Sequence, residues 1–166
     1  MCIRDRWITP HIREFLRLFP HIKCNNNVEL ALHAAKEFNI SVLLKGANSI
    51  VADNKKAWQL FGTDSQTARA GLGDLLSGFL AGSSAIDLTV CRNIKTDFFA
   101  KYVLLHSFAA SNCKTGSNAS DIASELSILV RNGKTRQISW KKQLKRVILS
   151  FKHINKQILH EIWSAH

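Results

Sequence analysis

Between Asn27 and Ala52 a helical apolar spacing gives way to short apolar runs, and that succession constrains the fold more than any other feature. Val28, Leu30, Leu32, Ala35 and Phe38 recur at helical steps behind asparagines suited to capping. Ser41 to Leu44 then reads as a short apolar strand and Lys45-Gly46-Ala47-Asn48 as a turn. Ser49 to Ala52 and Ala57 to Phe61 follow as further strands, divided by a turn at Asp53-Asn54. Helix, strand and hairpin in this order predict an α/β fold. Ala70 to Gly73 forms a glycine-bearing turn into an apolar helix from Asp74 to about Ala81. Phe98 to Ala110 and Ala119 to Arg131 read as two more helices, the second capped by Asn118 or Ser120. These later helices are expected to cover one face of a sheet.

Charge divides the chain in two. Residues 1–130 carry fourteen Lys/Arg against eleven Asp/Glu, whereas residues 131–166 carry nine Lys/Arg against Glu161 alone. The net charge of +11 therefore belongs mostly to the tail. In that tail Trp140, Leu144, Val147, Ile148, Phe151, Ile154, Ile158 and Ile162 fall on one stripe, with the lysines mostly off it. This predicts a basic linker and a C-terminal basic amphipathic helix. Such a helix docks on a protein core, or binds nucleic acid or an anionic membrane.

At 166 residues and 46% hydrophobic the chain has enough apolar side chains for one packed domain. Its longest charge-free apolar stretch, Leu75 to Ile86, holds twelve residues, short of the ~18 of a membrane span. Met1 to Trp7 carries Arg4, Asp5 and Arg6 where a secretory leader would be apolar. A soluble, cytoplasmic chain is expected. Cys2, Cys24, Cys91 and Cys113 lie far apart, which argues for reduced thiols and against a disulfide framework or a zinc site. His153 and His160 share a helical face with nothing nearby to complete a metal site, so no metal ligands are assigned.

Three segments carry chemistry. In Ala68-Arg69-Ala70-Gly71-Leu72-Gly73-Asp74-Leu75-Leu76-Ser77-Gly78, two glycines at a helix start expose backbone N–H groups that attract phosphate oxygens. Asp74 there either takes a proton from a substrate hydroxyl during phosphoryl transfer or serves as a helix cap. In Leu43-Leu44-Lys45-Gly46-Ala47-Asn48-Ser49, a lysine at a strand end is either a nucleotide contact or a solvated side chain. In Trp7-Ile8-Thr9-Pro10-His11-Ile12-Arg13-Glu14-Phe15, a strand end, a turn and a helix start place His11 at a junction. There it either donates to a ligand or bonds the backbone.

In this order the three segments resemble the ADP- or ATP-dependent NAD(P)H-hydrate dehydratases of the ribokinase-like superfamily. That family shows a Thr-Pro-His-Pro-Gly-Glu turn, a Lys-Gly-Ala stretch and a Gly-x-Gly-Asp-Val-Leu-x-Gly segment. They stand here as Thr9 to Glu14, Lys45-Gly46-Ala47 and Gly71 to Gly78. Leu105-His106 and Ala119-Ser120-Asp121 are similar to the family's closing helices. The Gly-Asp segment is shared across the superfamily, and the Thr-Pro-His turn points to the dehydratase branch. The resemblance covers residues 7–130, after a six-residue leader that matches no pattern and before the basic linker and helix of 131–166. Relative to the family, the earlier βα units are missing, so the chain is expected to be a partial domain carrying the nucleotide half of the site. Exposed sheet edges would then favour self-association into a homo-oligomer.

The resemblance implies that a nucleotide, ADP or ATP, phosphorylates the hydroxyl of hydrated NADH or NADPH and that loss of phosphate restores the dihydronicotinamide. It makes Asp74 the base and a substrate contact, and His11 a further contact to the hydrated cofactor. Lys45, Gly46, Ala47, Asn48, Ser49, Gly71 and Gly73 would bind the nucleotide, with Mg2+ accompanying the phosphates. Ile12-Arg13 replaces the family's Pro-Gly, and Leu72 stands where a small or hydroxyl residue is usual, which would narrow the phosphate cradle or remove a hydrogen bond from it. Two other functions fit the residues: a ribokinase-like kinase acting on a vitamin precursor, and an inactive fragment whose tail binds polyanions.

Overall fold

The computed structural model describes residues 6–60, 70–90, 96–114 and 116–131. The order is β1 (Trp7–Ile8), α1 (Ile12–Leu18), α2 (Asn27–Phe38), β2 (Ser41–Leu44), β3 (Ile50–Ala52), β4 (Ala57–Gln59), α3 (Leu72–Val90), α4 (Thr96–Asn112) and α5 (Ala119–Arg131). The fold is α/β, as expected. Its four strands lie in the order β1-β2-β3-β4. β1 runs parallel to β2, and the other pairs are antiparallel, with Leu43 opposite Val51 and Val51 opposite Trp58.

Strand alternation sorts side chains to the two faces. Val42, Leu44, Ile50 and Ala52 pack with Phe15 of α1 and with Leu30, Ala31, Ala34 and Ala35 of α2. Leu43 and Val51 point the other way, onto Leu76 and Leu80 of α3 and Phe99 and Val103 of α4. The two central strands are buried on both faces, which is why they read as unbroken apolar runs. Trp7 stacks on Phe99 at 3.5 Å between ring centroids and fastens β1 to the α4 layer. α5 closes a third cluster in which Ile122, Leu126 and Leu129 meet Leu105 and Ala109. Helices thus cover both faces of the sheet, α1 and α2 on one and α3 and α4 on the other, while α5 packs on α3 and α4 rather than on the sheet as expected.

Local chemistry sets the helix limits. Asn26 caps α2 by accepting the Glu29 amide at 2.9 Å. At its other end Asn39 adopts φ 48°, a left-handed conformation that asparagine tolerates, and the Ile40 amide bonds back to the Ala35 carbonyl at 3.1 Å. Asn118 caps α5: its side chain accepts from the Ser120 and Asp121 amides while Asp121 accepts from the Asn118 amide. α3 is longer than its glycines suggest. It runs through Gly78 and Gly82, each worth about 1 kcal/mol less than alanine, because Leu76 and Leu80 are buried against the sheet. Residues 1–5 of the six-residue leader, Phe61, and all but Arg131 of the basic linker and helix of 131–166 lie outside the described residues. No helix among the described residues is long and apolar enough to cross a membrane.

Candidate functional site

Because β1 and β2 are parallel, their carboxyl ends open on the same side of the sheet, where ligands of open α/β sheets bind. The Thr9-Pro10-His11 turn leaves one end and Lys45-Gly46 leaves the other. The Lys45 amide donates to the Pro10 carbonyl at 2.8 Å, and His11 and Lys45 form an isolated parallel bridge. The third segment arrives from α3: the Thr9 and Ser77 hydroxyls are 3.0 Å apart. A β-carbon placed on Gly73 would stand 3.4 Å from the Lys45 ammonium. All three segments singled out in the sequence meet at one place.

The start of α3 leaves its first backbone N–H groups without partners inside the helix. Gly71 has φ 81°, a conformation that side chains rarely adopt, and its carbonyl accepts the Leu75 amide at 2.9 Å. Gly71 therefore occupies the cap position, and the first-turn amides of Leu72, Gly73 and Asp74 have no carbonyl behind them in the helix. The Lys45 ammonium sits against this positive end of the helix dipole, a placement that costs energy until an anion joins it. Leu72 leaves the cradle open rather than narrowing it, because its side chain packs with the α4–α5 cluster. Asp74 lies in the first turn, exposed, with no hydrogen-bond partner among the described residues. It is not the cap. Its carboxylate stands uncommitted at the exposed start of α3.

His11 is held by the backbone. Nδ1 accepts from the Arg13 amide at 3.1 Å and the Glu14 amide at 3.2 Å, while Glu14 accepts from the His11 amide at 2.8 Å. This is a capping box with histidine in the place of serine or threonine. With Nδ1 accepting, the neutral ring carries its proton on Nε2, which lies 3.4 Å from the second Glu14 oxygen on an exposed edge. The bond from the His11 amide chiefly, with the His11, Lys45 and Arg17 charges, holds the Glu14 carboxyl below the usual carboxylate range. Ile12, in place of the family's proline, turns inward onto the α1–α2 core, and Arg13 faces solvent.

The Lys45–Ser49 loop divides its work. Ser49 is buried, donating to the Gly46 carbonyl at 3.2 Å and accepting from the Gly46 amide at 3.4 Å. Its hydroxyl shapes the loop. Gly46, Ala47 and Asn48 are exposed beside Lys45, which is partly buried. Three partners in the site went unassigned in the sequence: Thr9, Glu14 and Ser77. Thr9 and Ser77 are 68 residues apart, and one sequence carries no signal that they touch. Glu14 was legible, since a side-chain acceptor followed three residues later by glutamate is a capping signature. Among the described residues, no three His, Cys, Asp or Glu side chains come together as a metal site.

The profile of a family described as NAD(P)H-hydrate dehydratase matches residues 4–130. An ADP-dependent (S)-NAD(P)H-hydrate dehydratase from Nitrosopumilus maritimus is 37% identical over 78 residues, covering 45% of this chain and 27% of that protein. A bifunctional NAD(P)H-hydrate repair enzyme from Gloeobacter violaceus is 39% identical over 87 residues, covering 52% of this chain and 16% of that protein. The matched stretches thus span less than a third of these relatives. The crystal structure of a hypothetical protein from Streptococcus mutans shares the fold at a TM-score of 0.58 and 20% identity, covering 80% of this chain and 47% of that one.

Proposed function

Since the chain belongs to the NAD(P)H-hydrate dehydratase family, we propose that its site takes part in nucleotide-dependent dehydration of hydrated NADH or NADPH, a carbon–oxygen lyase reaction that repairs the cofactor. The observation that carries this reading is the Lys45 ammonium held against Gly73 at the start of α3, with the free Asp74 carboxylate one residue on. A helix N-terminus with a lysine attracts phosphate oxygens, and a carboxylate beside them can take a hydroxyl proton.

In this reading the amides of Leu72, Gly73 and Asp74, the Lys45 ammonium and the Gly46-Ala47-Asn48 loop hold the nucleotide phosphates. Ser49 and Gly71 act by shaping the two backbones that do so. Asp74 removes the proton from the hydrate hydroxyl as its oxygen attacks the terminal phosphorus and the nucleoside phosphate leaves. Breaking the carbon–oxygen bond then releases inorganic phosphate, and loss of a proton from the neighbouring carbon restores the ring double bond. His11 donates from Nε2 to the hydrated cofactor. ADP is the proposed donor, because two archaeal relatives are named as ADP-dependent enzymes. Magnesium is proposed as an ion carried by the nucleotide phosphates, which suit its preference for oxygen ligands. The cytoplasm is the proposed location.

The test is a repair assay of the purified chain with NADH or NADPH hydrate, magnesium, and ADP or ATP. Return of dihydronicotinamide absorbance with release of phosphate supports the reading. A phosphorylated product that persists without restored absorbance overturns the dehydratase step in favour of a kinase.

A further inference from the structure

Ser77 lies one turn into α3, and its hydroxyl donates to the Gly73 carbonyl at 2.8 Å. A serine hydroxyl has one proton, so the 3.0 Å contact with Thr9 is made by the Thr9 hydroxyl donating to the Ser77 oxygen. The result is a directed chain from Thr9 through Ser77 to Gly73. It runs from the residue two before His11 to the residue immediately before Asp74. Both hydroxyls are partly buried, so the pair is shielded from competing water. On its other flank the same turn is fixed by the Lys45 amide on the Pro10 carbonyl. The His11 turn is therefore clamped between β2 and α3, and Thr9–Ser77 is its side-chain tie to α3.

From this geometry we infer that Thr9 and Ser77 are positioning residues: their hydroxyl pair sets the distance between the His11 turn and the Gly73–Asp74 helix start. The functional half of the inference rests on the dehydratase reading. On this proposal the pair contributes no ligand contact of its own. It acts by keeping His11, which would hold the cofactor, in register with Asp74, which would take its proton. Reacting groups tolerate little displacement, and a shift near 1 Å can cost up to ~100-fold in rate. The nucleotide cradle does not depend on the pair, because the α3 amides and the Lys45–Pro10 bond remain when either hydroxyl is removed.

Five chains test this: wild type, T9V, T9S, S77A and the double variant T9V/S77A. The first readout is independent of turnover. The nitrogen and carbon resonances of the His11 ring should move in T9V and S77A and return to their wild-type positions in T9S. Unmoved resonances in both T9V and S77A overturn the inference, whatever the enzyme does. The second readout is kinetic. T9V and S77A should each lower kcat for hydrate repair about tenfold with ADP affinity unchanged, and the double variant should be no worse than either single one. A loss of thermal stability with kcat intact, or losses that multiply in the double variant, contradicts a positioning role. Moved His11 resonances in chains of which even the wild type repairs no hydrate leave the tie in place and overturn the dehydratase reading instead.

Discussion

The Lys45 ammonium lies 3.4 Å from where a β-carbon on Gly73 would stand. Strand β2 and helix α3 are separate in sequence, yet the side chain of one rests on the backbone of the other at the end of the helix dipole. A β-carbon at residue 73 would meet the ammonium at ordinary van der Waals distance, so the approach is close without requiring glycine. Substituting Gly73→Ala should leave the fold as stable as before or raise its stability by about 1 kcal/mol through helix propensity, since the added carbon meets only the flexible end of Lys45 at contact distance. Nucleotide affinity should fall. Isothermal titration with ADP beside a thermal melt separates the two effects. K45M should weaken ADP binding about 10- to 100-fold, the loss of one hydrogen bond from a charged donor, without lowering Tm.

Much of this was legible in the sequence, and the reasons are local. α2, β2 and α5 begin and end where their spacing and caps place them: Asn26 and Asn118 are short polar acceptors before an apolar stripe, and Ser41–Leu44 is a strand buried on both faces. Helix α3 runs on to Val90, past the end near Ala81 that its sequence suggested, with Leu76 and Leu80 buried against the sheet. The convergence of the three segments was expected from the family pattern. The role of Ser49 as a loop brace and the Thr9–Ser77 contact were not, since both depend on tertiary position.

Gly71 should resist substitution for a reason unrelated to ligand. At φ 81° an alanine is strained by about 1–2 kcal/mol, although the space is there, with Ala119 Cβ at 3.6 Å from the new carbon. Gly71→Ala should lower Tm, whereas Gly73→Ala should not. Urea unfolding of the two variants side by side checks the contrast.

His11 combines two jobs that substitution can separate. Asparagine also caps helices well, so His11→Asn should keep stability near wild type, while His11→Ala should cost about 1 kcal/mol. Both remove the Nε2 donor, and both should raise the KM for hydrate. If His11→Asn restores the KM as well as the stability, the histidine serves the helix alone.

His106 predicts a pH dependence of folding. It is buried in α4, its Nε2 has no hydrogen-bond partner among the described residues, and burial pushes its imidazole below the ordinary histidine range. The folded chain therefore keeps this ring neutral at a pH where the unfolded chain, with a pKa near ~6.5, already binds a proton. More protons on the unfolded state mean that stability rises with pH. The contribution is present above about pH 6.5 and is lost as pH falls toward the depressed folded pKa. Urea midpoints at pH 7.5 and 5.5 should differ more in the wild type than in His106→Leu. Equal differences would show that other groups control the acid limb.

The most direct test of the central claim is turnover of hydrated NADH with ADP by the wild-type chain and by Asp74→Asn, with ADP affinity measured on the same samples. The account predicts repair by the wild type, none by the variant, and ADP binding equal in the two, because the α3 amides and Lys45 remain. Repair that survives in Asp74→Asn would contradict the assignment of Asp74 as the base.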